Sequence, residues 1–511
     1  MRAARIFLLA VVVIVACLAR ADATPGPLWG DLRPGPHAVG FRVVFASDTT
    51  RAWQSDQQTV SGRPVRVSLW YPARVRESAR PTPYRSYVVI GAPGAYASYN
   101  EALVRRNLAG LAAAVPGQGL EELLNTPTAA YLNAPHARER FPLVVYLSGL
   151  NESGQHANSV LCEYLASHGF VVAAIPQVGT THARLRLGVN LIDLETQARD
   201  AEFAVAEVRR LMNVEERWAI VGHSIGGIVA LIVQARQPSV AAIVGLDASY
   251  GNTGLQSSLR ASPYFQTDRF RIPLLDIRRA SPPADFSVLE SLFYSERTIG
   301  ELPNVAHGDF TTFPMIAALV PTSIEGRTVE DARRGYQAVV RTTAEFLRTA
   351  LIERRLGFGA RVSREASASP IVWRTLAAEA APPTEEEFVA IIGAQGVEEA
   401  VRIYRRYQLP RPDRPIVNER RMLSMGYDFL EPPAQPVRAI GVFRFLTEIN
   451  PTSADWLDSL AEAYVAAGDI HSAALTSRRV LEALDRDHSL TEHQIAALRR
   501  IAEERIALSN R

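Results

Sequence analysis

From residue 141 to about 280, short apolar runs alternate with longer stretches in which apolar residues recur at helical spacing. The runs 143–147, 170–175, 218–221, 241–246 and 273–277 are too short for helices and read as strands. Between them, the 3.6-residue pattern predicts helices over 156–167, 191–212 and 226–236. Apolar strands alternating with amphipathic helices predict a mostly parallel sheet with helices on both faces. Upstream, 39–45 and 65–71 are rich in Val, Phe, Trp and Tyr and read as an antiparallel edge of that sheet. Residues 76–140 break the rhythm. Helical pieces near 101–114 and 120–124 lie either side of Pro116-Gly117, an insertion suited to roof a site as a lid or to sit at the periphery. A helix over 329–352 closes the region, which gives a catalytic domain spanning 35–355.

Beyond a Pro/Ala/Ser-rich stretch at 366–383, the pattern is helical only. Ala439, Gly441, Val442, Phe443, Leu446 and Pro451 fit the second helix of a tetratricopeptide unit. Trp456, Leu460, Ala461, Tyr464, Gly468 and Ala473 fit the next, and Ala439 to Ala473 spans the ~34-residue period of that repeat. Ser477 and Asp485 depart from it. Two such units do not bury a continuous core alone, so the 385–511 tail is expected to dock on the catalytic domain, bind a protein partner or self-associate.

The N-terminus is set apart by composition. Arg2 and Arg5 precede an apolar run over 6–18, followed by Ala21-Asp22-Ala23. That layout is a secretory signal peptide over residues 1–23, and its apolar run is short for a membrane span. Ile14-Val15-Ala16-Cys17 also matches a lipid-attachment site, with membrane contact only if Cys17 is lipidated. Either route predicts an exported protein, periplasmic or secreted. The other cysteine, Cys162, sits in an apolar helical pattern and reads as a core residue.

Composition narrows the function. A hydrophobic content of 47%, a charged content of 21% and a net charge of +2 describe a globular chain with no charge bias toward nucleic acid. No His/Cys/Asp cluster has metal-ligand spacing, and no cofactor motif is visible.

The candidate chemistry is concentrated at Gly222-His223-Ser224-Ile225-Gly226, between the 218–221 strand and the 226–236 helix. A Gly-x-Ser-x-Gly turn in that setting is a nucleophile elbow. Serine needs a histidine base, itself oriented by a carboxylate. Downstream of Ser224 the histidines are His307, His471, His488 and His493; the last three lie in the helical tail, which leaves His307 as base. Asp247 follows an apolar strand and stands at its C-terminal tip, where ligand-facing groups collect in open α/β sheets. Asp285 is the alternative acid, and Asp276 falls inside a strand run. Two backbone N–H groups should stabilise the oxyanion: that of Ile225, after the nucleophile, and one in the turn Ser148-Gly149-Leu150-Asn151, placed at Leu150. His223 and His182 are weaker candidates for touching substrate.

Taken together, Gly-His-Ser-Ile-Gly-Gly, Leu246-Asp247-Ala248, Val305-Ala306-His307 and Ser148-Gly149-Leu150 resemble the platelet-activating-factor acetylhydrolase family of α/β hydrolases. Val39-Gly40 and Trp70-Tyr71-Pro72 extend the likeness over roughly 35–350. The resemblance implies a metal-free serine esterase that removes short acyl groups from lipid-like or small esters. Ser148 stands where that family commonly has histidine, and Asn151 where it has glycine. The expectation is therefore an exported serine ester hydrolase whose acyl-enzyme forms on Ser224. A cutinase- or lipase-like hydrolase is the nearer alternative, and a repeat-based scaffold with a vestigial hydrolase domain the more distant one.

Overall fold

The computed structural model describes residues 24–509 except 55–58, 116, 151–155, 181–187, 281–284, 321, 323, 325, 365–369, 411, 413 and 414. The expected signal peptide with Cys17, and also Asn151 and His182, lie outside the described residues. The chain divides into two compact units, Met1–Glu379 and Ala380–Arg511. No described helix is long and apolar enough to cross a membrane.

The first unit is built on ten strands: β1 Ala38–Gln54, β2 Thr59–Ala73, β3 Ala130–Leu132, β4 Phe141–Leu147, β5 Val171–Ile175, β6 Val214–His223, β7 Val240–Leu246, β8 Leu274–Arg279, β9 Arg297–Leu302 and β10 Val372–Leu376. They form one sheet in the order β10-β9-β8-β7-β6-β4-β5-β2-β1-β3. From β5 through β4, β6, β7 and β8 to β9 every pairing is parallel. β2 joins β5 antiparallel, and β10 joins β9 antiparallel.

Side-chain alternation explains why the central strands read as unbroken apolar runs. Val144 and Tyr146 of β4, Val172 and Ala174 of β5, and Ala219 and Val221 of β6 enter one core. Their neighbours Leu143, Val145, Leu147, Val171, Ala173, Ile175, Trp218 and Ile220 enter a second core, on the other face. A strand buried on both sides has no polar face to show. The helix Ser159–Ser167 covers the first face, with Cys162 buried as expected; Leu191–Leu211 and Ile225–Arg236 cover the second.

The insertion over 76–140 is bound into both the sheet and the core. β3 pairs with β1 and forms the outer edge, while Leu123 and Leu124 of the helix Gln118–Asn125 belong to the first core. The other insertion helix, Ala97–Ala114, packs Tyr99 and Leu103 against Trp53 and Val178. Val178 follows the C-terminal end of β5, so this helix borders the end of the sheet where the site residues stand.

The first unit also runs on past residue 355. β10 lies in the stretch expected to be a junction, where it shelters Ile371 and stacks Trp373 over Gly300 of β9. The backbone N–H of Glu379 donates to Phe293 O at 2.8 Å. Only after that does the chain leave the unit.

The second unit consists of the helices Glu385–Gln395, Val397–Gln408, Glu419–Asp428, Pro436–Ile449, Ala454–Ala466, Ile470–Leu484 and Glu492–Leu508. Phe388, Val442, Phe443, Leu446 and Leu460 share one core; Leu457, Val480, Leu484 and Leu498 share another. The expectation of an unburied core rested on two repeat units. The helices between 385 and 428, which carry little of the repeat pattern, supply the additional apolar faces.

Candidate active site

The sharp turn at Ser224 follows from its neighbours. β6 lies between β4 and β7, with Gly222 level with Leu147 on one side and Gly245 on the other. The helix Ile225–Arg236 then folds straight back over the strand. A Cβ on Gly226 would come within 2.2 Å of Leu147 O, and one on Gly222 within 2.5 Å of Gly226 backbone. Only glycine fits at either place. Ser224 between them is held at φ 54°, ψ −124°, a conformation that L-residues rarely adopt and that persists only where surrounding structure enforces it. Here the Ser224 N–H donates to Leu246 O at 3.2 Å, while Ser224 O accepts from Gly227 N–H at 3.1 Å and Ser249 N–H at 2.9 Å.

Asp247 stands one residue beyond β7. Its N–H donates to Ile277 O at 2.7 Å, and its φ of 41° swings the carboxylate off the strand direction. His307 Nδ1 lies 2.5 Å from Asp247 Oδ2. Asp247 Oδ1 accepts the Arg279 backbone N–H at 3.2 Å, and the Arg279 guanidinium lies 3.3 Å from Oδ2. Burial raises the pKa of this carboxyl, but the hydrogen bond and charge of His307, with Arg279, outweigh it and hold the group below the ordinary aspartate value.

His307 opens the loop after β9, and that loop is fastened from behind. Asp309, buried beneath it, accepts the Ala306 N–H at 2.7 Å and takes both arms of the Arg327 guanidinium. Further on, Thr312 N–H donates to Ala157 O at 2.8 Å, and Asn158 Nδ2 donates to Phe310 O at 3.0 Å. The imidazole itself remains 41% exposed, open to a substrate. It stacks on His223, with ring centroids 4.7 Å apart and planes 26° apart, while His223 Nε2 lies 3.4 Å from His307 O.

The structure thus brings His307 onto Asp247 and onto the residue preceding Ser224. Among the described residues no hydrogen bond joins Ser224 to His307; Ser224 Oγ lies 3.4 Å from Ser249 Oγ. In unliganded enzymes the nucleophile–base contact is often loose and tightens on substrate. Ile225 N–H is at the helix start. Because Gly226 rests on Leu147 and Ser148, the turn holding Leu150 borders it. Leu150 is exposed, and Gln177 Nε2 fixes that turn by donating to Ser148 O at 3.0 Å.

The rival acids have other work. Asp285 Oδ1 accepts Ser287 N–H at 2.8 Å at the start of a short helix, with its side chain in water. Asp276 is wholly buried inside β8 beside Gly245. His471, His488 and His493 belong to the second unit. Sequence reasoning missed Ser249, Arg279 and Gln177, which reach the site only through the fold; His223 is buried at the elbow. Among the described residues no group of His, Cys, Asp and Glu is arranged to hold a metal ion.

The family model described as serine aminopeptidase, S33, matches residues 138–259, a span that holds Ser224 and Asp247 but not His307. No curated protein matches the chain. Among solved structures, the chain is similar to a ferulic acid esterase from Streptomyces cinnamoneus, at 20% identity and a TM-score of 0.47, over 69% of this chain and 98% of that one. The sheet order, the elbow and the family match give the first unit the α/β-hydrolase fold.

Proposed function

We propose that the protein is a serine hydrolase of carboxylic esters, exported and acting on short-acyl lipid or other small esters. The observation that carries this reading is the Asp247–His307 pair standing beside a serine held in the strained elbow conformation. In the proposed reaction Ser224 Oγ attacks the ester carbonyl while His307 Nε2 takes its proton. Asp247 keeps the other ring nitrogen protonated and stabilises the imidazolium. The N–H groups of Ile225 and Leu150 hold the developing oxyanion. His307 then protonates the leaving alcohol, and a water that it activates releases the acid from Ser224.

The likeness of the site motifs to the platelet-activating-factor acetylhydrolase family supports short acyl groups. The family model's description favours a second reading, cleavage of an aminoacyl amide. On the ester reading, the second unit serves as a degenerate tetratricopeptide module for a protein partner or self-association.

A fluorophosphonate probe should label the wild-type chain at Ser224, and p-nitrophenyl esters graded from acetate upward should be turned over fastest at short chain length. Ser224→Ala should remove labelling and lower turnover by several orders of magnitude with the melting temperature preserved. Turnover retained in that variant would overturn the nucleophile. Faster cleavage of aminoacyl p-nitroanilides than of esters would move the assignment to the amide reading.

A further inference from the structure

A cleft of about 890 Å³ lies between the segment leaving β2 and the segment around β3, lined by Arg74, Arg76, Arg80, Thr82, Tyr131 and Asn133 among others. It is remote from Ser224. β2 pairs antiparallel with β5, Trp70 opposite Val172 and Ser68 opposite Ala174. The Ala73 end of β2 therefore lies beside the beginning of β5, whereas Ser224 and Asp247 stand past the C-terminal ends of their strands. In the sheet order, β4, β5, β2 and β1 separate β3 from β6. The cleft and the candidate active site occupy opposite ends of the sheet.

The charge at the cleft is one-sided. No Asp or Glu lines it. Elsewhere arginines hold carboxylates: Arg63 on Asp200, Arg236 on Glu202, Arg278 on Glu301, Arg327 on Asp309. Arg74, Arg76 and Arg80 are exposed, and among the described residues none of their guanidiniums has an ion pair or side-chain hydrogen bond. In a chain with near-balanced charge, three unpaired cations against the single exposed carboxylate of Glu77 over residues 74–80 are a local excess.

The segment that carries them is anchored at both ends, with one turn bond between, Ala79 N–H to Arg76 O at 2.9 Å. Arg74 N–H donates to Pro135 O at 2.8 Å, Ala73 bridges His136, and Asn133 N–H donates to Phe41 O at 2.7 Å. Thr82 N–H donates to Ala130 O at 2.8 Å, and Thr82 O accepts both Thr128 N–H at 2.9 Å and Thr128 Oγ1 at 2.8 Å. A ligand entering here meets backbone already anchored at Arg74, Thr82 and Asn133.

We propose that this cleft is a second binding site, for a phosphate ester, separate from the hydrolytic centre. A guanidinium fork matches two oxygens of an anion. Three forks exceed what one carboxylate accepts, but suit the oxygens of a phosphate group. The same group is presented by a soluble phosphate ester and by the headgroup of an anionic phospholipid.

Calorimetric titration of the full-length protein with sn-glycerol 3-phosphate tests the soluble form. Sedimentation with phosphatidylcholine vesicles, with and without phosphatidic acid, tests the headgroup. The comparison is with the combined Arg74→Gln, Arg76→Gln and Arg80→Gln variant, whose ester turnover and melting temperature should be unchanged. Glycerol phosphate binding that weakens at least about tenfold in the variant would support the soluble source. Binding confined to phosphatidic acid vesicles, and lost in the variant, would support the headgroup source. Equal binding by the variant, binding to neither probe, or tighter binding of acetate or citrate than of glycerol phosphate would overturn the proposal.

Discussion

The tip of β7 and the interior of β8 each hold an aspartate, on neighbouring strands, and the two are in opposite states. Asp247 stands just past the end of its strand, where His307 and Arg279 reach its oxygens and keep it ionised. Asp276 lies opposite Gly245, two residues back from Asp247 in the register of the same pair. Burial there raises its pKa to about 7, although Arg278 partly opposes the shift, and the charge of Asp247 adds to it. Among the described residues neither Asp276 oxygen has a hydrogen-bond partner, and Arg278 Nη1 comes no nearer than 3.5 Å to Oδ2. Two residues of height along a sheet separate a carboxylate that can steady an imidazolium from a carboxyl that prefers to keep its own proton.

The strongest way to break this comparison is to neutralise each acid in turn. Asp247→Asn should lower ester turnover by roughly three to four orders of magnitude, because the amide no longer fixes the His307 tautomer. Asp276→Asn and Asp285→Asn should leave turnover close to wild type. A larger loss in either of those than in Asp247→Asn would move the acid.

Stability against pH sharpens the comparison. The raised pKa of Asp276 means that the folded state keeps a proton which the unfolded chain releases above about 4. Its stabilising contribution is complete below that value and is lost as pH rises to about 7. Over the whole window the loss is on the order of 4 kcal/mol. Asp276→Asn should flatten that part of the melting-temperature profile. Asp247→Asn should shift it to lower pH by removing a neighbouring charge. A wild-type profile that rises between pH 4 and 7 in step with Asp276 would contradict the assignment.

A smaller effect of the same sign belongs to Glu163. It is buried, accepts Trp29 Nε1 at 2.6 Å and Tyr87 Oη at 2.7 Å, and burial raises its pKa to about 7 despite those bonds. Its contribution, roughly 3 kcal/mol, is lost between about pH 4.5 and 7. Glu163→Gln, with its oxygen accepting from Trp29 and its amide donating to Tyr87 Oη, lacks the titration and should be the more stable protein at neutral pH, by thermal melting. A less stable variant at neutral pH would show that the ionised form is the one the core favours.

The comparison also marks what the sequence could carry. Ser224, Asp247 and His307 were legible as candidates from glycines at a strand–helix turn, an acid at an apolar strand's tip, and the one downstream histidine outside the helical tail. β9 was not legible. Its run Arg297-Thr298-Ile299-Gly300-Glu301-Leu302 has no apolar face, and Arg297 is buried only because its guanidinium donates to the carbonyls of Leu289, Glu290, Ser295 and Ala377. β10 was hidden beside the Pro/Ala/Ser-rich stretch between the two regions, and it pairs only because β9 offers an edge. Ser249, Arg279 and Gln177 carry no local sign of their role, since their partners lie from 25 to 32 residues away in the chain. The helical tail was legible as helices.

The buried Asp309 beneath the His307 loop has a consequence for exchange with solvent. Because its carboxylate holds the Ala306 amide and is itself clamped by Arg327, that amide can trade its hydrogen for deuterium only when the buried ion pair opens. A surface loop would ordinarily exchange within the fast fraction of the molecule. Here Ala306 should exchange on the slower timescale of the surrounding core, and Asp309→Asn should return it to the fast fraction and loosen the setting of His307.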